Sequence, residues 1–137
     1  MVSTPDVAGI HSAASPVVLV VDDDSAVREL IASTLETEEG YWVLTAADGQ
    51  EAIELSRSFR GSIDLLVTDE DMPRLRGSEL CSQIRADRPE IQAIILTGGD
   101  PGAIRGTGAV EVCPKPVRWM TLRDRIVGLL RPPERGA

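Results

Sequence analysis

The chain is predicted to fold as an α/β domain, a doubly wound parallel sheet of five strands with helices on both faces. Three observations carry that expectation. Short apolar runs alternate five times with stretches whose apolar residues recur at helical spacing. The first run, Val17–Val21, is apolar at every position, as in a strand covered on both faces. A chain of 137 residues with 42% hydrophobic and 26% charged residues also suits one globular domain with one core.

Residues 1–15 are rich in Ser, Ala, Pro and Gly without periodicity, and read as a flexible tail before a domain expected over 16–131. After the first strand, Val27, Leu30, Ile31, Thr34 and Leu35 follow at helical spacing, with Asp24 or Ser25 as the cap. Trp42–Ala46 reads as the second strand. Asp48 then stands three positions before Glu51, a capping-box-like start for a helix carrying Ala52, Leu55 and Phe59 on one face. Residues 63–68 form the predicted third strand and 78–88 the third helix, with Leu80, Cys81 and Ile84 inward. The fourth strand is expected over 91–96 and the fifth over 110–113. Leu122, Ile126, Leu129 and Leu130 mark a last helix behind Thr121, and 132–137 reads as a second tail. Residues 98–108 carry too much glycine for a full helix, so a short turn or loop is expected there.

Composition removes several function classes. Lys+Arg 14 against Asp+Glu 22 gives a net charge of −8, which repels phosphate backbones and anionic lipid, so neither nucleic acid nor membrane is expected as a direct partner. No apolar run approaches the length of a membrane span, and the first residues lack the basic start and apolar block of a secretory signal, so a cytoplasmic location is expected. Cys81 and Cys113 lie in apolar segments and read as reduced core thiols. His11, the one histidine, falls in the polar leader, which removes histidine-ligated zinc, Ser-His-Asp triads and histidine kinase chemistry. Carboxylate chemistry remains.

In open α/β sheets the binding crevice lies at the carboxyl ends of the strands. There the first strand leads into Asp22, Asp23 and Asp24. The third leads into Asp69, Glu70, Asp71 and Met72-Pro73, the fourth into Thr97 and the fifth into Lys115-Pro116. Carboxylates crowded on one rim repel one another unless a cation sits among them. A hard divalent ion such as magnesium suits oxygen ligands and borrows phosphate oxygens, which makes a phosphoryl group the natural guest. Lys115 is the single lysine among 14 basic residues, as expected where a compact ammonium is needed.

These motifs, Val20-Val21-Asp22-Asp23-Asp24, Thr68-Asp69-Glu70-Asp71-Met72-Pro73, Leu96-Thr97-Gly98 and Lys115-Pro116, resemble the response-regulator receiver domain, the CheY-like family, of the stand-alone single-domain type. The strand order 2-1-3-4-5 of this flavodoxin-like fold is carried over with the resemblance. So are the roles that it implies. Asp69 would take a phosphoryl group from a phosphohistidine on a partner histidine kinase or phosphotransfer protein, in a two-component system or phosphorelay. Asp22, Asp23 and Asp69, with the backbone carbonyl of Asp71, would hold Mg2+. Thr97 and Lys115 would serve the reaction beside Asp69. Gly98 and Glu70 would bind phosphoryl oxygens, and a cis bond before Pro116 would help aim Lys115 inward. The domain would catalyse only its own phosphorylation and dephosphorylation, switch the segment 98–119 between two packings and act through an unknown protein target, with a homodimer as one form.

Two departures stand against the family pattern. Val112 occupies the place of an aromatic switch residue, and Thr97 and Lys115 are only 18 positions apart, which truncates the fourth helix. They leave open a phosphorylation-independent pseudo-receiver that acts only as a binding module. From another class, Asp22-Asp23-Asp24 also fits the Asp-x-Asp loop of haloacid-dehalogenase-like phosphatases, with Asp22 as nucleophile, although the late acids of that family are not matched after Lys115, where Asp124 lies in an amphipathic stretch. Trp119 and Met120 suit either a partner contact or packing under the last helix, and the side chain of Asp71 is expected to face solvent.

Overall fold

A computed structural model describes residues 15–104 and 110–131. Among these, five strands and four α-helices alternate: β1 (Val17–Val21), α1 (Ser25–Thr34), β2 (Trp42–Ala46), α2 (Gly49–Ser58), β3 (Leu65–Asp69), α3 (Gly77–Asp87), β4 (Gln92–Thr97), β5 (Val110–Pro114) and α4 (Trp119–Leu130). The strands form one parallel sheet in the order β2-β1-β3-β4-β5.

The unbroken apolar strands are explained by two cores. Along β1, Leu19 and Val21 face a cluster that includes Ala52 and Ile53 of α2 with Leu80, Cys81 and Ile84 of α3. Val18 and Val20 face the other cluster, with Ile31 of α1 and Leu122 and Ile126 of α4. In β4, Ala93 and Ile95 take the first side, and Ile94 and Leu96 the second. Side chains alternate across a strand, so a central strand between two helical layers must be apolar on both faces. Cys81 and Cys113 are free and buried. Trp119 packs against the second cluster, while Met120 is exposed.

Several boundaries differ from the sequence expectation. β3 begins later, at Leu65, and the carboxylate of Asp64 just before it accepts the Val17 amide at 2.8 Å. It runs on through Asp69, and β4 runs on through Thr97, so both groups are held by the ladder itself. Helix α1 continues into a π turn, Leu35–Glu39, which ends at Gly40 with φ 72°, a left-handed conformation suited to glycine. That polar turn has no apolar period to announce it. It is tied to α4 by Arg123, 2.8 Å from Glu39. Among the described residues between β4 and β5 the chain makes one 3-10 turn, Pro101–Ala103, in keeping with the expected short turn. The expectations for 1–14, 105–109 and 132–137 fall outside the described residues. No helix among the described residues is long and apolar enough to cross a membrane.

Candidate functional site

Strands β1 and β3 are direct neighbours, with Val21 opposite Thr68, so the residues that leave their carboxyl ends meet. The three successive acids after β1 divide the work. Asp24 caps α1, its Oδ1 accepting the amides of Ala26 at 3.0 Å and Val27 at 3.3 Å. With the cap supplied, Asp22 and Asp23 are free for another role. Asp22 is buried and accepts the Asp24 amide at 2.9 Å, and Arg28 holds the Asp22 carbonyl at 2.8 Å. One carboxylate oxygen each from Asp22, Asp23 and Asp69 lies within 4.8 Å of the others.

Lys115 reaches this group from the far side of the sheet. Its amide donates to the Thr97 carbonyl at 2.7 Å, extending the β4–β5 ladder past Pro114. From that anchor the Nζ reaches Asp69 Oδ1 at 2.8 Å and Asp71 Oδ2 at 3.6 Å. The Lys115-Pro116 peptide bond is cis. Asp69 is only 6% exposed, and its Oδ1 also accepts the Asp71 amide at 3.3 Å.

The charges do not balance. Burial pushes the Asp22 carboxyl above the ordinary carboxylate range, and the charges of Asp69 and Asp23 push the same way against the Asp24 amide and Lys115. Partial burial works against the Lys115 ammonium, but its hydrogen bond to Asp69 and the charges of Asp69, Asp71 and Asp22 outweigh that, so its pKa is raised. One ammonium thus faces three carboxylates, and Asp23 adds a fourth to the group. The donor set fits a hard divalent cation: every side chain in the group offers oxygen, the oxygens are close, and burial works against the charged form of Asp22.

Thr97 is 3% exposed and its Oγ1 accepts the Gly99 amide at 3.0 Å, which leaves the hydroxyl proton to donate. Gly98 follows at the same rim. The structure brings Asp22, Asp23, Asp69, Asp71, Thr97, Gly98 and Lys115 to one edge of the sheet. It does not bring Glu70 there. The Glu70 amide donates to the Leu96 carbonyl at 2.7 Å, and its buried carboxylate accepts the Ser78 amide at 2.6 Å and Ser78 hydroxyl at 2.9 Å. Both of its polar ends are committed to β4 and to the start of α3, so in this state it offers nothing to a phosphoryl group. A carboxylate at that helix N-terminus also meets the positive end of the helix dipole. Glu70 and Gly77 together fix the β3–α3 loop: a Cβ on Gly77 would collide with the Asp69 carbonyl oxygen. The eight-residue spacing of Glu70 and Ser78 gives no local signal for this.

The Asp71 side chain, expected in solvent, is half-exposed but engaged, accepting the Gly98 amide at 2.9 Å. No short-range pattern links positions 71 and 98. Only the closure of the sheet brings them together.

Fold and site define an open, doubly wound α/β protein whose β1–β3 switch point carries an acidic pocket bridged by a lysine. The family comparison agrees: the profile of the response regulator receiver domain matches residues 18–127, and the chain belongs to that family. It is 42% identical over 118 residues to the response regulator MprA of Mycobacterium ulcerans, a match covering 83% of this chain and 50% of the relative. To MprA of Mycobacterium tuberculosis strain H37Ra it is 41% identical with the same coverage. The chain spans about half the length of these curated relatives. Among solved structures it is similar to the receiver domain of the hybrid histidine kinase CckA, with a TM-score of 0.73 and 33% identity over 84% of this chain and 99% of that one. A response regulator receiver domain protein from Clostridium thermocellum gives a TM-score of 0.74 and 33% identity over 84% and 94%.

Proposed function

We propose that the domain accepts a phosphoryl group on Asp69 from a phosphohistidine of a partner kinase or phosphotransfer protein, and that the acyl phosphate alters its contacts with a protein target. The observation that carries this reading is the buried Asp69 carboxylate, held at 2.8 Å by the chain's one lysine and within 4.8 Å of the oxygens of Asp22 and Asp23. A carboxylate is a modest nucleophile, so the rate must come from positioning and charge neutralisation. An Asp69 oxygen attacks phosphorus in line, an O–P bond forms as the N–P bond breaks, and the electron pair returns to the imidazole. Lys115 and the Thr97 hydroxyl meet the transferred oxygens, and the Gly98 amide faces the same space.

Asp22, Asp23 and Asp69, with the Asp71 carbonyl, would hold magnesium. When bound, it supplies positive charge that offsets the acids and the incoming phosphoryl oxygens. Thr97 is tied through its carbonyl to Lys115 and through its hydroxyl to Gly99, so a pull on that hydroxyl is passed to the start of the β4–β5 connection. The reading includes a cytoplasmic location, where phosphorylated kinases supply the donor, and no activity beyond the domain's own phosphorylation and hydrolysis.

Incubation with magnesium and acetyl phosphate tests it by intact mass. One hydroxylamine-labile phosphoryl per chain, lost in Asp69→Asn and without magnesium, is expected. Uptake that survives Asp69→Asn would overturn the reading. A pseudo-receiver would take up none, and a phosphatase using Asp22 would turn over many substrates.

A further inference from the structure

The Gly98 amide and the Lys115 ammonium, the two donors that await a phosphoryl group, already share an anion. Asp71 Oδ2 accepts from Gly98 at 2.9 Å and lies 3.6 Å from Lys115 Nζ. That same oxygen lies 3.5 Å from where a Cβ on Gly98 would stand, so the carboxylate sits over the residue and not merely beside it. Lys115 in turn bridges Asp71 and Asp69. Resting on the assignment of Asp69 as acceptor, we propose that Asp71 is a positioning residue that fills the phosphoryl seat of the unmodified domain, and that its carboxylate must leave before the phosphoryl oxygens can take the Gly98 amide and Lys115.

The chemistry favours such an exchange. A carboxylate and a phosphoryl group are both oxygen anions that accept charge-assisted hydrogen bonds from the same donors. The two cannot share one amide proton, and two anions side by side repel. Asp71 is half-exposed, so it can swing into water without an unpaired buried charge, and the displaced contact is therefore modest in strength. Its backbone carbonyl is a separate group and stays where it is when the side chain turns.

The seat has a directional consequence. Emptying it makes capture of a phosphoryl analogue easier, where loss of a supporting residue would make it harder. The magnitude is that of one half-exposed charged hydrogen bond with a share in a lysine contact, about three- to tenfold in affinity.

The test uses beryllium fluoride with magnesium as the phosphoryl analogue on wild type, Asp71→Ala and Asp71→Asn, with affinity followed by tryptophan fluorescence and the Gly98 amide followed by NMR. Before any analogue is added, the Gly98 amide proton of Asp71→Ala should move upfield from its wild-type position as it loses its acceptor. Beryllium fluoride should then bind Asp71→Ala about three- to tenfold more tightly than wild type. Asp71→Asn, which keeps an acceptor of the same shape without the charge, should fall between the two. An unmoved Gly98 resonance, or equal or weaker binding by Asp71→Ala, overturns the proposal. Equal binding by all three proteins would leave Asp69 as acceptor intact and defeat only the seat. Failure of every protein to bind would defeat the acceptor assignment and the seat with it.

Discussion

Replacing Lys115 with methionine keeps the length of the side chain and removes its charge, which isolates the contribution of the ammonium to the pocket. In the native protein it makes one hydrogen bond of 2.8 Å to a carboxylate that is 7% exposed, and a looser contact of 3.6 Å to one that is 50% exposed. A hydrogen bond to a charged group contributes about 1.5–3 kcal/mol when well buried. The Lys115 side chain is 38% exposed, so screening reduces the expected loss to about 1–2 kcal/mol. For a domain of this size that corresponds to a fall of roughly 4–8 °C in Tm. Thermal unfolding followed by circular dichroism, without divalent cations, measures it. The same substitution made on Asp69→Asn should cost less, because the charged partner has already gone, and the coupling energy from the four proteins should be favourable. An unchanged Tm, or an equal loss in both backgrounds, would refute the idea that Lys115 and Asp69 stabilise each other.

Other outcomes follow from the same geometry. Gly77→Ala should destabilise the domain by about 2–3 kcal/mol in urea unfolding, since its Cβ meets the Asp69 backbone carbonyl, whereas Gly98→Ala, whose Cβ meets only ordinary contacts, should fold with near wild-type stability. Magnesium should raise Tm by mass action, by about 2.7 kcal/mol of stability at a hundredfold excess over its Kd, and Asp23→Asn should reduce the gain; equal gains in both proteins would exclude Asp23 as a ligand. Ellman's reagent should leave Cys81 and Cys113 unlabelled until urea exposes them. Burial raises the Cys81 pKa above 9.0, so between pH 9.0 and that raised value the unfolded chain loses the proton first, and stability should fall with rising pH. Cys81→Ala should lessen the slope.

How far the sequence was readable depended on the range of the interaction. The doubly wound sheet could be read because apolar strands buried on both faces and helices with one apolar stripe each leave their own period, and β1 with Val18, Leu19, Val20 and Val21 shows it directly. The pocket was readable because Asp22, Asp23, Asp69, Thr97 and Lys115 all lie at or just beyond the carboxyl ends of strands, and parallel strands bring those ends to one edge. Contacts that depend on loop conformation were not readable. Glu70 turns away to cap α3 through Ser78, and Asp71 turns in to Gly98, although their order in the sequence offers no reason for that exchange of roles. The bond of Asp64 to the first residue of β1, 47 positions away, leaves no local signal either. The π turn after α1 is tied to Arg123 of α4, a contact that its own residues do not announce.

The central claim concerns one atom of one side chain, and borohydride reads it directly. It reduces an aspartyl phosphate to homoserine and leaves free carboxylates alone. After treatment with magnesium and acetyl phosphate, peptide mass spectrometry should find homoserine at position 69 and aspartate at 22, 23 and 71. Homoserine at any of those three positions, or intact aspartate at 69 in a chain that carries phosphate, would contradict the account.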